Sequence, residues 1–232
     1  MVIKRALRRE LVVCGRRALS EEYRSQGHSL LPFLFTYGFG SDNVAYVVME
    51  PSTRELIAVD TGDFESSERM VQQIEHKFGA RLKYILSTHH HHDHVGANLQ
   101  WKLSRPEVHL LAGSHAQGLI PGQTTHLDHL QITCVGQLSI CCLHTPGHTH
   151  EHVSYVVTHV APHSTKIPFL FPGDTLFIGG CGRLFTGTAE QLYQSLQTLA
   201  ALPAETLVFP AHEYTEANLR FALALEPDNE AI

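Results

Sequence analysis

Five histidines and one aspartate occupy six consecutive positions, His89-His90-His91-His92-Asp93-His94, directly after the apolar run Leu82–Leu86. The run reads as a β-strand, so the cluster sits on a loop at the strand's C-terminal end. Side chains at i and i+2 of an extended segment point the same way, so His89 and His91 can converge on one ion. Asp93 and His94 fall where the chain turns into the next helix and can face a neighbouring ion. Imidazole and carboxylate donors suit Zn²⁺, or Fe and Mn as alternatives. A solvated polyhistidine loop is the bland reading, but such a loop needs neither the aspartate nor the strand–helix setting. His90 and His92 point away from His89 and His91 and are expected to be supporting or exposed.

Histidine is also the compositional outlier, with 18 against 17 Lys plus Arg in 232 residues. A formal charge of −6 argues against a generally basic nucleic-acid binder. No stretch approaches the ~20 apolar residues of a membrane span. With 43% hydrophobic residues the chain can bury a sizeable core. Its five cysteines are odd in number and lack CxxC spacing, so no disulfide framework is expected and a reducing compartment is. They read as small buried hydrophobes, with adjacent Cys141 and Cys142 on opposite faces of a strand.

Residues 1–30 form a basic N-terminal extension ahead of a domain at 31–232. Ile3, Ala6, Leu7 and Leu11 recur there at helical spacing among several arginines. The segment reads either as a solvated amphipathic helix, with the protein in the cytoplasm, or as a mitochondrial transit peptide. Beyond it strands alternate with helices. Val44–Met49 and Glu55–Val59 predict a hairpin, Glu65–Phe78 a helix closed by Gly79, and Val95–Leu103 a short helix. Strands follow at Glu107–Leu111, Gln131–Val135, Gln137–Leu143, His152–Thr158, Phe169–Phe171 and Leu207–Phe209. Helices are expected at Thr188–Leu202 and Thr215–Leu225. The pattern is a mixed α/β domain with two sheets and helices outside.

Three later turns, each after a strand, present further donors. They are His148 in Pro146-Gly147-His148-Thr149, Asp174 in Pro172-Gly173-Asp174-Thr175, and His212 in Pro210-Ala211-His212-Glu213. Together with the cluster they supply five His and two Asp, enough for two ions sharing the Asp174 carboxylate. Strand ends that all deliver donors into Gly/Pro turns imply one rim of a β scaffold.

The HxHxDH run, the later His, the Gly-Asp-Thr and the final His resemble the metallo-β-lactamase superfamily. Gly173-Asp174-Thr175-Leu176-Phe177, Gly180-Cys181-Gly182-Arg183 and His212-Glu213-Tyr214-Thr215 resemble its glyoxalase II branch, the hydroxyacylglutathione hydrolases. The resemblance implies a four-layer αββα sandwich with two mixed sheets. It implies one metal on His89, His91 and His148, a second on Asp93, His94 and His212, and Asp174 as the bridge. Asp60, ending Ile57-Ala58-Val59-Asp60, resembles the superfamily's first motif and would support the site, or is an ordinary strand-end turn residue.

The implied reaction is hydrolysis of an S-2-hydroxyacylglutathione, such as S-D-lactoylglutathione, to a hydroxy acid and glutathione. Water between two ions ~3.5–4 Å apart is drawn toward hydroxide, the nucleophile for the acyl carbonyl. A thiolate leaves without strong acid help, and Asp93, a catalytic candidate with Asp174, would orient the hydroxide.

The resemblance places substrate contacts at Arg183 and Tyr214, and at Phe185, where a tyrosine is usual and its hydroxyl is lost. Glu151 stands where a small residue is usual, in His150-Glu151-His152. Cys181 reads as a packing residue of a tight turn. Only 20 residues follow His212, so the C-terminal helical domain of these hydrolases is expected to be missing. The competing readings are a mono-iron persulfide dioxygenase-like enzyme of the same fold and a non-catalytic, metal-stabilised interaction module. No nucleic-acid partner is expected, and the oligomeric state is left open.

Overall fold

The computed structural model describes residues 33–162, 166–229 and 232, so both readings of the 1–30 segment, helix and transit peptide, lie outside the described residues. A six-stranded sheet runs in the order β1 (Phe33–Phe39), β2 (Asn43–Met49), β3 (Glu55–Val59), β4 (Arg81–Ser87), β5 (His109–Gly113) and β6 (Thr125–Leu127). Its first three strands pair antiparallel and the rest parallel. A second, five-stranded sheet runs β11 (Leu207–Val208), β10 (Pro168–Phe171), β9 (Val153–His159), β8 (Leu138–His144), β7 (Ile132–Val135). Its β10–β11 pair is parallel and the others antiparallel, so both sheets are mixed.

Period-2 alternation decides the layers. On β2, Tyr46 and Val48 join Leu86, Leu111, Ile140, Tyr155 and Phe171 in a core between the sheets. Ala45, Val47 and Met49 point the other way, into a core with Val71, Ile74 and Trp101. Burial on both faces explains why Ala45–Met49 is an unbroken apolar run rather than an alternating one. The outer face of the second sheet packs Leu143, Val156 and Leu170 against Leu199. The result is helices, sheet, sheet, helices.

Helix α1 (Phe64–Phe78) is bounded by local chemistry. Asp63 caps it by accepting the Ser66 N–H at 2.8 Å, and Gly79 ends it at φ 63°. Its buried Val71 and Ile74 are each worth roughly 1.5–3 kcal/mol against the first sheet. The helix expected at Val95–Leu103 is two, α2 (His92–Val95) and α3 (Asn98–Ser104), and the first begins inside the histidine run. The break has a cause: Thr61 N–H donates to His94 O (2.9 Å) and Ala97 N–H to Thr61 O (2.8 Å). That pins the chain to the segment after β3 and spoils a continuous helical ladder. Two more helices follow, α4 (Ala189–Ala200), opened by a Thr188–Gln191 capping box, and α5 (Thr215–Leu225).

Two strands were not evident in the sequence. β1 carries Phe35 and Phe39, whose neighbours are Phe78 and Tyr37, and β6 is only three residues long. The cysteine reading needs correction. Cys142 is buried between the sheets and Cys141 faces the outer layer, as alternation requires, but Cys134, on edge strand β7, and Cys181 are exposed. Among the described residues no helix is long and apolar enough to cross a membrane.

Candidate metal centre

The loops after β4, β8, β10 and β11 meet at one rim of the two sheets. His89 Nε2 lies 2.9 Å from His91 Nδ1, and His91 Nδ1 lies 3.0 Å from His148 Nε2. Three ring nitrogens at these separations cannot all be satisfied by shared protons, whereas they can all donate lone pairs to one cation. A second group forms beside it. Asp93 Oδ2 lies 3.6 Å from His94 Nε2 and 3.5 Å from His212 Nε2. Within each group the donor atoms all fall within 4.8 Å of one another.

Asp174 stands between the groups. Its Oδ2 is 3.4 Å from His148 Nε2, and its Oδ1 is 3.3 Å from both His94 Nε2 and His212 Nε2. His94 Nε2 and Asp174 Oδ1 are buried without a hydrogen bond of normal geometry. Orphaned polar atoms in an interior are costly, and a bound cation removes that cost. The donor set of nitrogen and carboxylate oxygen fits divalent ions of the zinc, iron and manganese kind.

The two groups differ electrically. Burial, followed by repulsion from neighbouring imidazoles, holds His89 and His91 below the usual histidine range, and burial does the same to His148. Neutral rings are the form that ligates metal. Burial pushes His94 and His212 down as well, but the carboxylates of Asp60, Asp174 and Asp42 outweigh it and raise both. Asp174 is held far below the usual carboxylate range, since its histidine partners overcome a burial that would raise it.

Five of the seven ligand candidates are braced from behind. His94 Nδ1 meets Asp60 Oδ2 at 2.8 Å, His148 Nδ1 meets the Arg183 carbonyl at 2.8 Å, and His212 Nδ1 meets Asp42 Oδ1 at 2.8 Å. Asn43 donates to Asp93 Oδ2 at 2.9 Å. His152, forced down to about 3 by burial, accepts the Asp174 N–H at 3.0 Å, so its Nδ1 carries the proton toward Thr145 and Thr175. Gly173 makes room for this turn: at φ 52°, a Cβ there would come within 2.7 Å of His152 Nε2. Asp42, Asn43 and His152 had no signature in the sequence, because each acts on a residue far along the chain.

The residues expected to meet substrate border both groups. Phe185, 51% exposed, packs its ring at 4.6 Å from His91 and 5.1 Å from His148, and Arg183 lies over it at 4.3 Å. Tyr214 stacks on His212 at 5.0 Å and donates to Asp42 at 3.2 Å. His90 turns away from the centre and reaches Glu151.

A two-sheet sandwich with this seven-residue rim is the signature of one class of metal-dependent proteins. Residues 38–212 match the metallo-β-lactamase superfamily, and the chain belongs to it. Within it the chain is a member of the hydroxyacylglutathione hydrolase family. It is 43% identical over 193 residues to the cytoplasmic hydroxyacylglutathione hydrolase of Arabidopsis thaliana, covering 82% of this chain and 71% of that protein. Identity to the hydroxyacylglutathione hydrolase of Gloeobacter violaceus is also 43%, over 188 residues, with 81% and 70% covered. Among solved structures, ETHE1 from Myxococcus xanthus superposes with a TM-score of 0.66 at 29% identity, over 78% of this chain and 76% of that one. A metallo-β-lactamase from Staphylococcus aureus shares the fold, with a TM-score of 0.69 at 22% identity over 82% and 57% of the two chains.

Proposed function

We propose that the chain hydrolyses the thioester of S-2-hydroxyacylglutathiones, with S-D-lactoylglutathione as the first candidate, releasing a hydroxy acid and glutathione. The observation that carries this reading is Asp174, with one carboxylate oxygen toward each of two three-residue donor groups. His89, His91 and His148 would hold one divalent ion, Asp93, His94 and His212 the other, with Asp174 shared. Zinc is the first choice, iron and manganese the alternatives. When bound, such a pair polarises an acyl oxygen and lowers the pKa of water toward 7.

The chain's own residues supply position and charge. Asp93, its side chain 44% exposed, is tethered by Asn43 and can orient the attacking water from the open side. The leaving thiolate needs no acid. Arg183 offers a cation to a glutathione carboxylate, and its seat on Phe185 limits its freedom before substrate arrives. Phe185, against His91 and His148, and Tyr214, against His212, flank the rim where the glutathione moiety would lie. The names of the relatives in Arabidopsis and Gloeobacter support the same substrate class. The cytoplasm is the compartment we favour, supported by that Arabidopsis relative and by four free cysteines among the described residues.

The test is turnover of S-D-lactoylglutathione by chelator-stripped protein before and after reconstitution with Zn²⁺, Fe²⁺ or Mn²⁺, with His91→Ala and Asp174→Asn as controls. We expect metal-dependent hydrolysis that both variants lose. Absence of turnover in protein carrying two ions per chain would overturn the substrate assignment.

A further inference from the structure

Glu151 is a fully buried carboxylate that the proposed chemistry does not use. It lies three residues after His148, just before β9, and its Oε1 receives the His90 Nδ1–H at 2.5 Å. His90 sits between His89 and His91. The bond therefore joins the ligand loop of the first sheet to the ligand loop of the second, across 61 residues of sequence.

Burying a carboxylate costs several kcal/mol unless a donor compensates. Burial raises the Glu151 pKa, but the His90 donor on Oε1 leads the contacts that outweigh it and hold the carboxyl below the usual range, while Oε2 is buried with no hydrogen-bond partner of its own. The favourable state thus exists only while the His90 ring is turned toward Glu151. His90 lies in the bend between its two neighbours, so a ring held against Glu151 also holds the backbone from which His89 and His91 project. From that backbone His89 Nε2 and His91 Nδ1 come together, and His91 Nδ1 approaches His148 Nε2. A backbone bond from Val153 N–H to Thr88 O, at 2.9 Å, already ties the two loops at their base. The Glu151–His90 pair ties them near the tip, beside the donor atoms themselves.

We infer that Glu151, acting through His90, is a positioning residue that sets the mutual aim of His89, His91 and His148 and so the affinity of that one ion site. The inference rests on the metal assignment proposed above. It predicts a selective effect: the Asp93–His94–His212 group, braced by Asn43, Asp60 and Asp42, is left alone.

Cobalt titration of the whole chain tests it, because paramagnetically shifted imidazole protons separate a three-histidine site from a two-histidine one. Glu151→Gly and His90→Ala are each expected to weaken the three-histidine site by about 10–100-fold, the usual effect of losing a ligand's outer support. The double variant should lose no more than either single, since both remove the same tie. Glu151→Gln keeps an acceptor for the His90 N–H and is expected to bind like the unaltered chain, which a loss of folding would not allow. Wild-type affinities in Glu151→Gly and His90→Ala, or additive losses in the double variant, would overturn the inference. An unaltered chain that takes up no cobalt would instead overturn the metal assignment, and this inference with it.

Discussion

Asp60 braces His94 from behind: its Oδ2 lies 2.8 Å from His94 Nδ1, and both side chains are buried. The same carboxylate accepts the backbone N–H and the hydroxyl of Thr88, each at 2.9 Å. Asp60 holds φ at 53°, a left-handed conformation unusual outside glycine that aspartate tolerates better than most residues. Three acceptances through two oxygens leave asparagine a poor substitute, because it has one acceptor oxygen and adds donors. Asp60→Asn should weaken metal binding and activity by about 10–100-fold, measured by chelator competition and initial rates.

Arg183 should govern substrate affinity rather than the chemical step. A charge-assisted hydrogen bond is worth about 1.5–3 kcal/mol, so Arg183→Ala is expected to raise KM by roughly 10–100-fold with kcat nearly unchanged. The backbone carbonyl that orients His148 survives this change. A fall in kcat with KM unaltered in steady-state kinetics would contradict the role.

Glu50 gives the fold an acid-sensitive joint far from the rim. Its carboxylate accepts the Thr53 N–H, the Ser52 hydroxyl and the Gln137 N–H, joining the β2–β3 turn to the β7–β8 turn. Burial pushes its pKa up, but these bonds outweigh it and hold it below the ordinary 4.5. A group whose folded value is depressed adds stability above its unfolded pKa and loses it as pH falls through the folded one. Glu50→Gln should therefore cost about 1–3 kcal/mol at neutral pH, and the gap to the unaltered chain should close below pH 4.5. Denaturant melts at several pH values measure this.

Trp101, the single tryptophan, is fully buried beneath α1. Its ring meets Phe64 edge-on at 5.2 Å, and its Nε1–H donates to Ser67 at 3.1 Å. Trp101→Ala should cost about 3–5 kcal/mol in an unfolding titration followed by circular dichroism. In the unaltered chain the same transition should appear as a fluorescence change, since unfolding exposes this one indole.

The histidine run and the three Gly/Pro turns single out the candidate donors without a structure, because ligand type, alternation and strand-end placement are properties of short segments. The boundaries of α1 are equally local, set by Asp63 and Gly79. The sequence left Asp60 open between turn residue and support, and it offered no sign of Asp42, whose partner His212 lies 170 positions away. The break between α2 and α3 was hidden for the same reason: it depends on backbone bonds to Thr61. Glu151 was visible only as an added charge, until sheet packing set it against His90. Which residues can ligate is written in side-chain chemistry and spacing. How they are aimed is decided by hydrogen bonds between distant segments, which strand pairing within one sheet and the packing of two sheets bring within 3 Å.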